Sequence, residues 1–208
     1  MVRFYVAALL VLSAVSVQAQ PGLPTLPIQP SPDSPDQRQR LRNFTTCLAE
    51  ARPRWARGTL SHPYLSDAQA GAAAEALRGT DTCLRGGESE ITFRTSGVVG
   101  SLAEHFLRGE MNRADFARIA ATLRTLAPLN ASEDFALCVA ARDPAAARDL
   151  ALSELGSTTE VQAAGQLAVG LEACRYPNEQ QPVDLQSLRA LISTALYRGV
   201  TTVLAARN

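Results

Sequence analysis

Apolar residues recur at helical spacing along most of the chain after residue 36. Stretches that alternate apolar and polar residues, as a half-buried β-strand does, are almost absent. The pattern therefore predicts an all-α protein. The clearest stripes are Leu41, Phe44, Leu48 and Ala51; Val98, Val99, Leu102 and Phe106; Phe116, Ile119, Leu123 and Leu126; and Leu185, Leu188, Ile192 and Leu196.

Capping signals predict where these helices begin and end. Ser66 and Ser157 are each followed three residues later by Gln or Glu, which is the signature of a capping box. Glycine is preferred just after a helix, so the Arg-Gly pairs at 108–109 and 198–199 are expected to end two of the helices. Further N-caps are predicted at Ser132, Asp143 and Asp184.

The sequence repeats itself with an offset of 91 residues. Residues 43–83 align with 134–174 without a gap and share 11 identities in 41 columns, including two Cys columns, a Phe column and a Pro column. The alignment of these residues at one constant offset indicates a tandem duplication. We therefore predict two modules of about four helices each, joined by an amphipathic helix. The expected bounds are 37–110 for module 1, 111–128 for the joining helix and 129–208 for module 2.

The first residues are typical of an export signal. A short positive start and an apolar run over residues 6–17 lead to small residues before Gln20, so residues 1–19 are expected to be a cleaved signal peptide. The run is shorter than the roughly 20 residues of a spanning helix, and no transmembrane segment is expected after cleavage. An uncleaved membrane anchor is the alternative. Residues 20–36 are predicted to be a Pro-rich linker, since residues 20–35 hold half of the chain's 12 prolines.

The four cysteines lie in two pairs, each separated by 36 residues. In an exported chain such a set predicts two disulfides, and the duplication selects Cys47 with Cys83 and Cys138 with Cys174. Each half would thus close its own bridge. The alternative, a metal site, lacks the close Cys pairs of zinc modules and has only His62 and His105 to complete it. No metal or cofactor is expected.

Charge and motifs argue against two classes of function. The chain has 20 basic residues, all Arg, and 20 acidic residues, so it lacks the excess of positive charge that nucleic-acid binding requires. It has no nucleophile elbow and no phosphate loop, and nothing in the sequence pairs two carboxylates. We therefore assign no catalytic residue and do not expect an enzyme.

One segment of the first repeat differs in character from its counterpart. Residues 54–65 hold the only Trp, one of the two His and a Tyr, whereas residues 145–156 have mostly Ala, Leu and acids. Trp, Tyr and Arg often anchor binding surfaces, so the candidate binding residues are Arg54, Trp55, His62 and Tyr64. The alternative is that Trp55 and Tyr64 pack against the joining helix, since large aromatic side chains are mostly buried.

The repeated pattern resembles exported proteins of Gram-negative bacteria that contain a duplicated two-cysteine helical module. It consists of Phe-x-x-Cys, a Pro six residues after the Cys, a second Cys at the end of an Ala-rich helix, and a helix closing in Tyr-Arg-Gly or Leu-Arg-Gly, over about residues 43–199. The resemblance brings no known activity. We expect a non-enzymatic binding or interaction module, periplasmic or secreted, whose partner is an envelope protein or component. The alternatives are a small hydrolase of cell-wall or extracellular material and a structural or stress protein of the envelope.

Overall fold

The described part of the structure, a computed structural model, comprises residues 28–77, 83, 94–176 and 183–207. It is mostly helical, which confirms the predicted class. The predicted signal peptide and residues 20–27 of the predicted linker lie outside the described residues. Within the described ranges the helices are α1 (Pro35–Ala51), α2 (Pro53–Ser61), α3 (Asp67–Leu77), α4 (Thr95–Glu110), α5 (Phe116–Leu123), α6 (Ala131–Arg142), α7 (Pro144–Leu152), α8 (Thr158–Cys174) and α9 (Leu185–Ala205).

Two very short strands bring the start of the described chain against the second half. Strand β1 (Ile28–Gln29) pairs in parallel with β2 (Val183–Asp184). The Ser31 hydroxyl donates a hydrogen bond to the side chain of Gln186, near the start of α9. Residues 28–34 of the predicted linker therefore lie along the folded body, and α1 begins at Pro35 behind a capping box formed by Ser34 and Gln37.

Most helix starts follow the predicted capping chemistry. Asp143 and Asp184 each accept backbone N–H bonds as the N-caps of α7 and α9. Ser132 was expected to cap α6, and this is wrong, because Asn130 accepts from the Glu133 N–H and starts the helix two residues earlier.

Neither of the predicted Arg-Gly stops ends its helix at the glycine. Helix α4 continues to Glu110, and α9 runs six residues past Gly199 to Ala205. Gly199 instead lies where α9 packs closely on α5, since a Cβ there would lie 3.1 Å from a methyl carbon of Leu123. Leu123 belongs to the segment predicted as one joining helix, which the structure divides into a 3-10 turn (Met111–Arg113) and α5, capped by Asp115.

The centre of the fold is the crossing of α4 and α9. Gly100 of α4 faces Ala190 of α9 so closely that a Cβ on Gly100 would lie 2.4 Å from the Ala190 Cβ and 2.5 Å from its Cα. Around the crossing, the core is formed by fully buried leucines and isoleucines from both halves: Leu102, Leu107, Ile119, Leu150, Leu167, Leu188, Ile192 and Leu196. The first half, α1–α4, and the second half, α6–α9, thus share one core.

Both disulfides are present, Cys47–Cys83 and Cys138–Cys174, and each closes within its own half. Their Cα–Cα distances are nearly equal, 5.7 Å and 5.8 Å. The first ties α1 to a residue after α3, and the second ties α6 to the last residue of α8. The chain-entropy estimate for loops of this length is about 4 kcal/mol per bridge, which is valuable where many core residues are alanines that bury little area.

Corresponding backbone features of the two halves occur 91 residues apart. Helices α2 and α7 have nine residues each and start at Pro53 and Pro144. The residue before each capping serine has a positive φ, 57° at Leu65 and 74° at Gly156. In both places the side chain three residues after the serine accepts a hydrogen bond from that positive-φ residue. The backbone therefore follows the same course at both turns.

Among the helices of the described ranges, none combines the length and the hydropathy that crossing a bilayer demands.

The α4–α9 crossing predicts a contrast between two glycines of one helix. Gly100→Ala forces a Cβ into the backbone of α9 and is expected to lower the free energy of unfolding by about 2–3 kcal/mol. Gly109→Ala, where nothing lies within 4 Å of the added Cβ, is expected to be neutral or stabilising by up to about 1 kcal/mol, because alanine favours helix. Chemical denaturation of both variants measures the difference. Equal stability of the two variants would contradict the close crossing.

Candidate functional site

The predicted binding residues Arg54 and Trp55 lie on α2. Arg54 is exposed, whereas Trp55 is partly buried and its indole N–H donates to the Ala72 carbonyl at 3.0 Å. The Trp55 ring packs with Phe44 and Leu48 beside the first disulfide. Its contacts are therefore those of a side chain that covers the bridge between α1 and the residues after α3.

The other two predicted binding residues lie in the turn after α2. Tyr64 is 3% exposed, and burial raises the pKa of its hydroxyl. Its backbone N–H donates to the Glu133 carboxylate, and its carbonyl accepts from the Asn130 side chain, so Tyr64 connects the first half to the start of α6. His62 is partly buried, and its carbonyl accepts from Gln69. The four residues thus have separate environments rather than one shared exposed face.

The most unusual cluster of the described chain was not predicted. Five charged side chains form a continuous series of ion pairs, Arg42–Glu104–Arg189–Glu160–Arg38, which we call the ion chain. Arg38 and Arg42 lie on α1, Glu104 on α4, Glu160 on α8 and Arg189 on α9. The exposed fraction of the five side chains ranges from 0% to 12%. The ion chain therefore joins both halves through their interior.

Arg189 is the central member of the ion chain. Its guanidinium meets the Glu104 carboxylate with two hydrogen bonds, of 2.7 Å from Nε and 3.1 Å from Nη2. Nη1 donates to Glu160 and to the Ser153 hydroxyl, both at 3.0 Å. Nη2 also donates to the Ala151 and Ser153 carbonyls, which end α7. One buried side chain thus pairs two carboxylates and satisfies the C-terminus of a helix.

Glu160 is held by a capping turn and by two arginines. It was predicted as the capping-box residue of Ser157, and half of that box forms, because the Glu160 N–H donates to the Ser157 hydroxyl. Its carboxylate, however, accepts from the Gly156 N–H, from Arg189 and from both Nη atoms of Arg38, at 2.7 Å and 3.2 Å. The spacing of Ser157 and Glu160 in the sequence therefore predicted the turn at the start of α8, but it did not predict the ion pairs.

The same position in the first half is occupied by a neutral residue. Gln69, 91 residues earlier, donates through its amide nitrogen to the Thr59 and His62 carbonyls, which end α2. A glutamate cannot donate in this way, so Arg189 supplies the donors to the end of α7. In the second half, Arg189 thus makes the hydrogen bonds to the end of α7 that correspond to those of Gln69 to the end of α2.

The pKa directions follow from this geometry. Burial alone would raise the pKa of Glu160, but hydrogen bonds from Arg38 and from the Gly156 N–H, together with the Arg189 charge, hold it below its ordinary value. Burial would lower the pKa of Arg189, yet Glu104 and Glu160 raise it. Burial, with the charges of Arg189 and Arg108, lowers the pKa of Arg42 more than Glu104 raises it. Glu160 and Arg189 are therefore both ionised at neutral pH.

A surface groove lies over one end of the ion chain. It has a volume of about 360 Å³ between residues 28–35 and α8, and we call it the α8 groove. Arg38 and Glu160 also line it, and its walls are mostly apolar: Ile28, Pro30, Pro35, Val161, Ala164 and Leu185. On the same helix, Val161 and Val169 are 60% and 78% exposed, unusually high for valine.

Metal binding and acid–base catalysis each require particular groups. No group of three or more His, Cys, Asp or Glu in these ranges is arranged to hold a metal ion. A general acid requires a carboxyl whose pKa is raised, whereas that of Glu160 is lowered. Burial lowers the pKa of His105, the Glu50 charge raises it and the Arg57 charge lowers it, so the ring is neutral at pH 7. An apolar groove with few polar groups is instead typical of a ligand site.

The ion chain predicts how stability depends on pH. Because the pKa of Glu160 is lower when folded than when unfolded, its contribution is complete above the unfolded value of about 4.3 and is lost as the pH falls toward the folded value. Glu160→Gln is expected to cost about 3–5 kcal/mol at pH 7 and to flatten the loss of stability below about pH 5.

The matched control is Glu172→Gln, on the same helix, where the side chain is 53% exposed and pairs with Arg175. It is expected to change the free energy of unfolding by less than about 0.5 kcal/mol at pH 7. Denaturant unfolding of the three proteins is compared between about pH 3 and pH 8. This range extends roughly one pH unit beyond the ordinary pKa values of carboxyl groups and of histidine. A Glu160→Gln protein as stable as the control would show that the ion chain contributes little.

Comparison of this chain with protein-family models, with curated protein sequences and with solved structures found no match. The function therefore has to be inferred from the arrangement of the chain's own residues, above all the ion chain and the α8 groove.

Proposed function

We propose that this protein is a non-enzymatic binding module of the bacterial envelope, periplasmic or secreted, which binds an amphipathic helix of a partner protein at the α8 groove. The single observation that carries the proposal is the apolar groove of about 360 Å³, continued along α8 by exposed valines. Solvent-exposed apolar surface of this kind marks interaction sites.

The surface of α8 favours a helical partner. Val161, Gly165 and Val169 recur every four residues and so form one ridge of the helix. A Cβ added at Gly165 would have nothing within 4 Å, so the backbone itself is open to close approach. An amphipathic helix laid along such a ridge places apolar side chains at every third or fourth position into the adjoining groove.

The two disulfides support export. Disulfides persist in oxidising compartments such as the periplasm and the extracellular space, and are rare in the cytosol. Both bridges are formed here, and the described residues contain no unpaired cysteine. This agrees with the export signal predicted at residues 1–19.

The hydrolase alternative has less support from the site. The buried carboxylates Glu104 and Glu160 each accept from two arginines, which removes them from proton transfer and from attack on a substrate. The alternative of an envelope structural or stress protein without a specific partner is an outcome of the experiment below.

Site-specific photo-crosslinking tests the proposed surface. A photoreactive amino acid at Val169 is expected to yield a discrete crosslinked species in native envelope, whereas the same residue at Leu129, which is 53% exposed on another part of the chain, is expected to yield none. Val161→Glu places a charge in the groove wall. It should reduce the yield of the crosslinked product from Val169 by more than about tenfold. Its control is Gln162→Glu, next along α8 and exposed.

Three results would count against the proposal. Equal crosslinking from Val169 and Leu129 would indicate non-specific contact. A product that survives Val161→Glu would remove the groove from the account. Absence of any product would favour the structural or stress role.

We further propose that the two halves are a tandem duplication of one disulfide-closed module. Helices α2 and α7 start 91 residues apart, as do α3 and α8, and each pair of bonded cysteines is separated by 36 residues. The positive φ at Leu65 and Gly156 also supports this. The central crossing adds to the case, because Gly100 and Ala190 correspond to each other when α4 is aligned with α9, as an approximate two-fold relation between the halves requires.

The duplication predicts the behaviour of a chain cut once between α5 and α6. With a protease site inserted after Pro128, the cut protein should remain one species on a native gel, because the halves share a core. On a denaturing gel without reductant it should separate into two fragments, since each disulfide closes within one half. Fragments that stay linked until reductant is added would contradict the proposal.

A further inference from the structure

A small cavity lies beside the ion chain, between α1, α4 and α9. Its volume is about 30 Å³, above the roughly 10–15 Å³ that a single water requires. Its lining includes all three arginines of the ion chain, together with Ser101, Glu104 and Gln186. It is distinct from the α8 groove, although Arg38 borders both.

The groups around this cavity have an excess of positive charge. The ion chain contains three guanidinium groups and two carboxylates, which leaves one positive charge uncompensated within it. Glu154 lies 3.4 Å from Arg42, but its side chain is 76% exposed and its charge is screened by solvent. An unbalanced buried charge is costly, and an anion in the cavity removes the imbalance.

The polar groups that line the cavity are mostly hydrogen-bond donors. The Nε atoms of Arg38 and Arg42 are buried and have no acceptor among the described residues. The Ser101 hydroxyl is hydrogen-bonded to Thr45 at 2.8 Å, and the Thr45 hydroxyl also lies within reach of the Leu41 carbonyl. The side-chain oxygen of Gln186 accepts from Ser31, and its amide nitrogen is a further donor. The Glu104 carboxylate, the charged acceptor in the wall, is already bonded to two arginines.

We propose that this cavity binds one small monovalent anion such as chloride. The anion accepts from the two arginine Nε–H groups, and it neutralises the ion chain where α1 meets the crossing of α4 and α9. Binding to the folded state alone stabilises the protein by mass action. The inference is independent of the proposed partner at the α8 groove, because it concerns the stability of the chain by itself.

The first test measures thermal unfolding of the full chain in sodium chloride and in sodium gluconate at equal ionic strength. For the wild-type protein, each tenfold increase in chloride above the dissociation constant should raise Tm by about 3–5 °C, while gluconate should not. Arg42→Met removes one donor and the excess charge, and leaves Glu104 paired with Arg189. Its Tm should no longer respond to chloride. The control Arg118→Met removes an exposed arginine on α5 and should keep the full response.

The second test needs no variant. Crystals of the wild-type protein grown in bromide should give an anomalous peak in the cavity, within hydrogen-bond distance of the Arg38 and Arg42 Nε atoms. Equal Tm in chloride and gluconate, or a chloride response that Arg42→Met retains, would overturn the proposal. A bromide peak without any chloride dependence of Tm would indicate an adventitious ion only, and a water at that position with no peak would likewise overturn it.

Discussion

One buried arginine of α9 connects that helix with α4, α7 and α8. Arg189 lies next to Ala190, where α9 crosses α4, and its side chain is 3% exposed. From there it bonds Glu104 of α4, Glu160 of α8 and the end of α7. A charge buried at this depth is tolerable only if its partners are in place, so the packing of both halves and the satisfaction of Arg189 depend on each other. Arg38 and Arg42 extend the same constraint to α1.

Local chemistry made much of the fold predictable from the sequence. Helical periodicity indicated the class, and the caps at Asp143 and Asp184 lie where an acidic side chain can accept from the first turn. Predictions failed where a distant contact decided the outcome. Gly199 resembles a helix stop in sequence, but α5 packs on it and the helix continues. Asn130 replaces Ser132 as a cap because its amide also reaches the Tyr64 carbonyl.

The candidate site was harder to predict than the fold. Glu160 has the sequence signature of a capping residue, and arginines are so frequent in this chain that Arg38 and Arg189 are not distinctive. A usable signal was present in the stripes themselves, since Glu104 and Arg189 lie directly beside apolar positions of α4 and α9 that are fully buried. The α8 groove depends on residues 28–35, whose prolines indicate a linker when read alone. Its walls form only when that segment meets α8.

Native-state hydrogen exchange of the wild-type and Arg189→Met proteins tests most directly whether the ion chain makes the two halves one cooperative unit. The account predicts that the slowest amides of α1, α4, α8 and α9 share a single opening free energy in the wild-type protein. In the variant, α1 and α8 should open at a lower free energy than the crossing pair, α4 and α9. Separate opening free energies for the two halves already in the wild-type protein, or an unchanged single value in the variant, would contradict it.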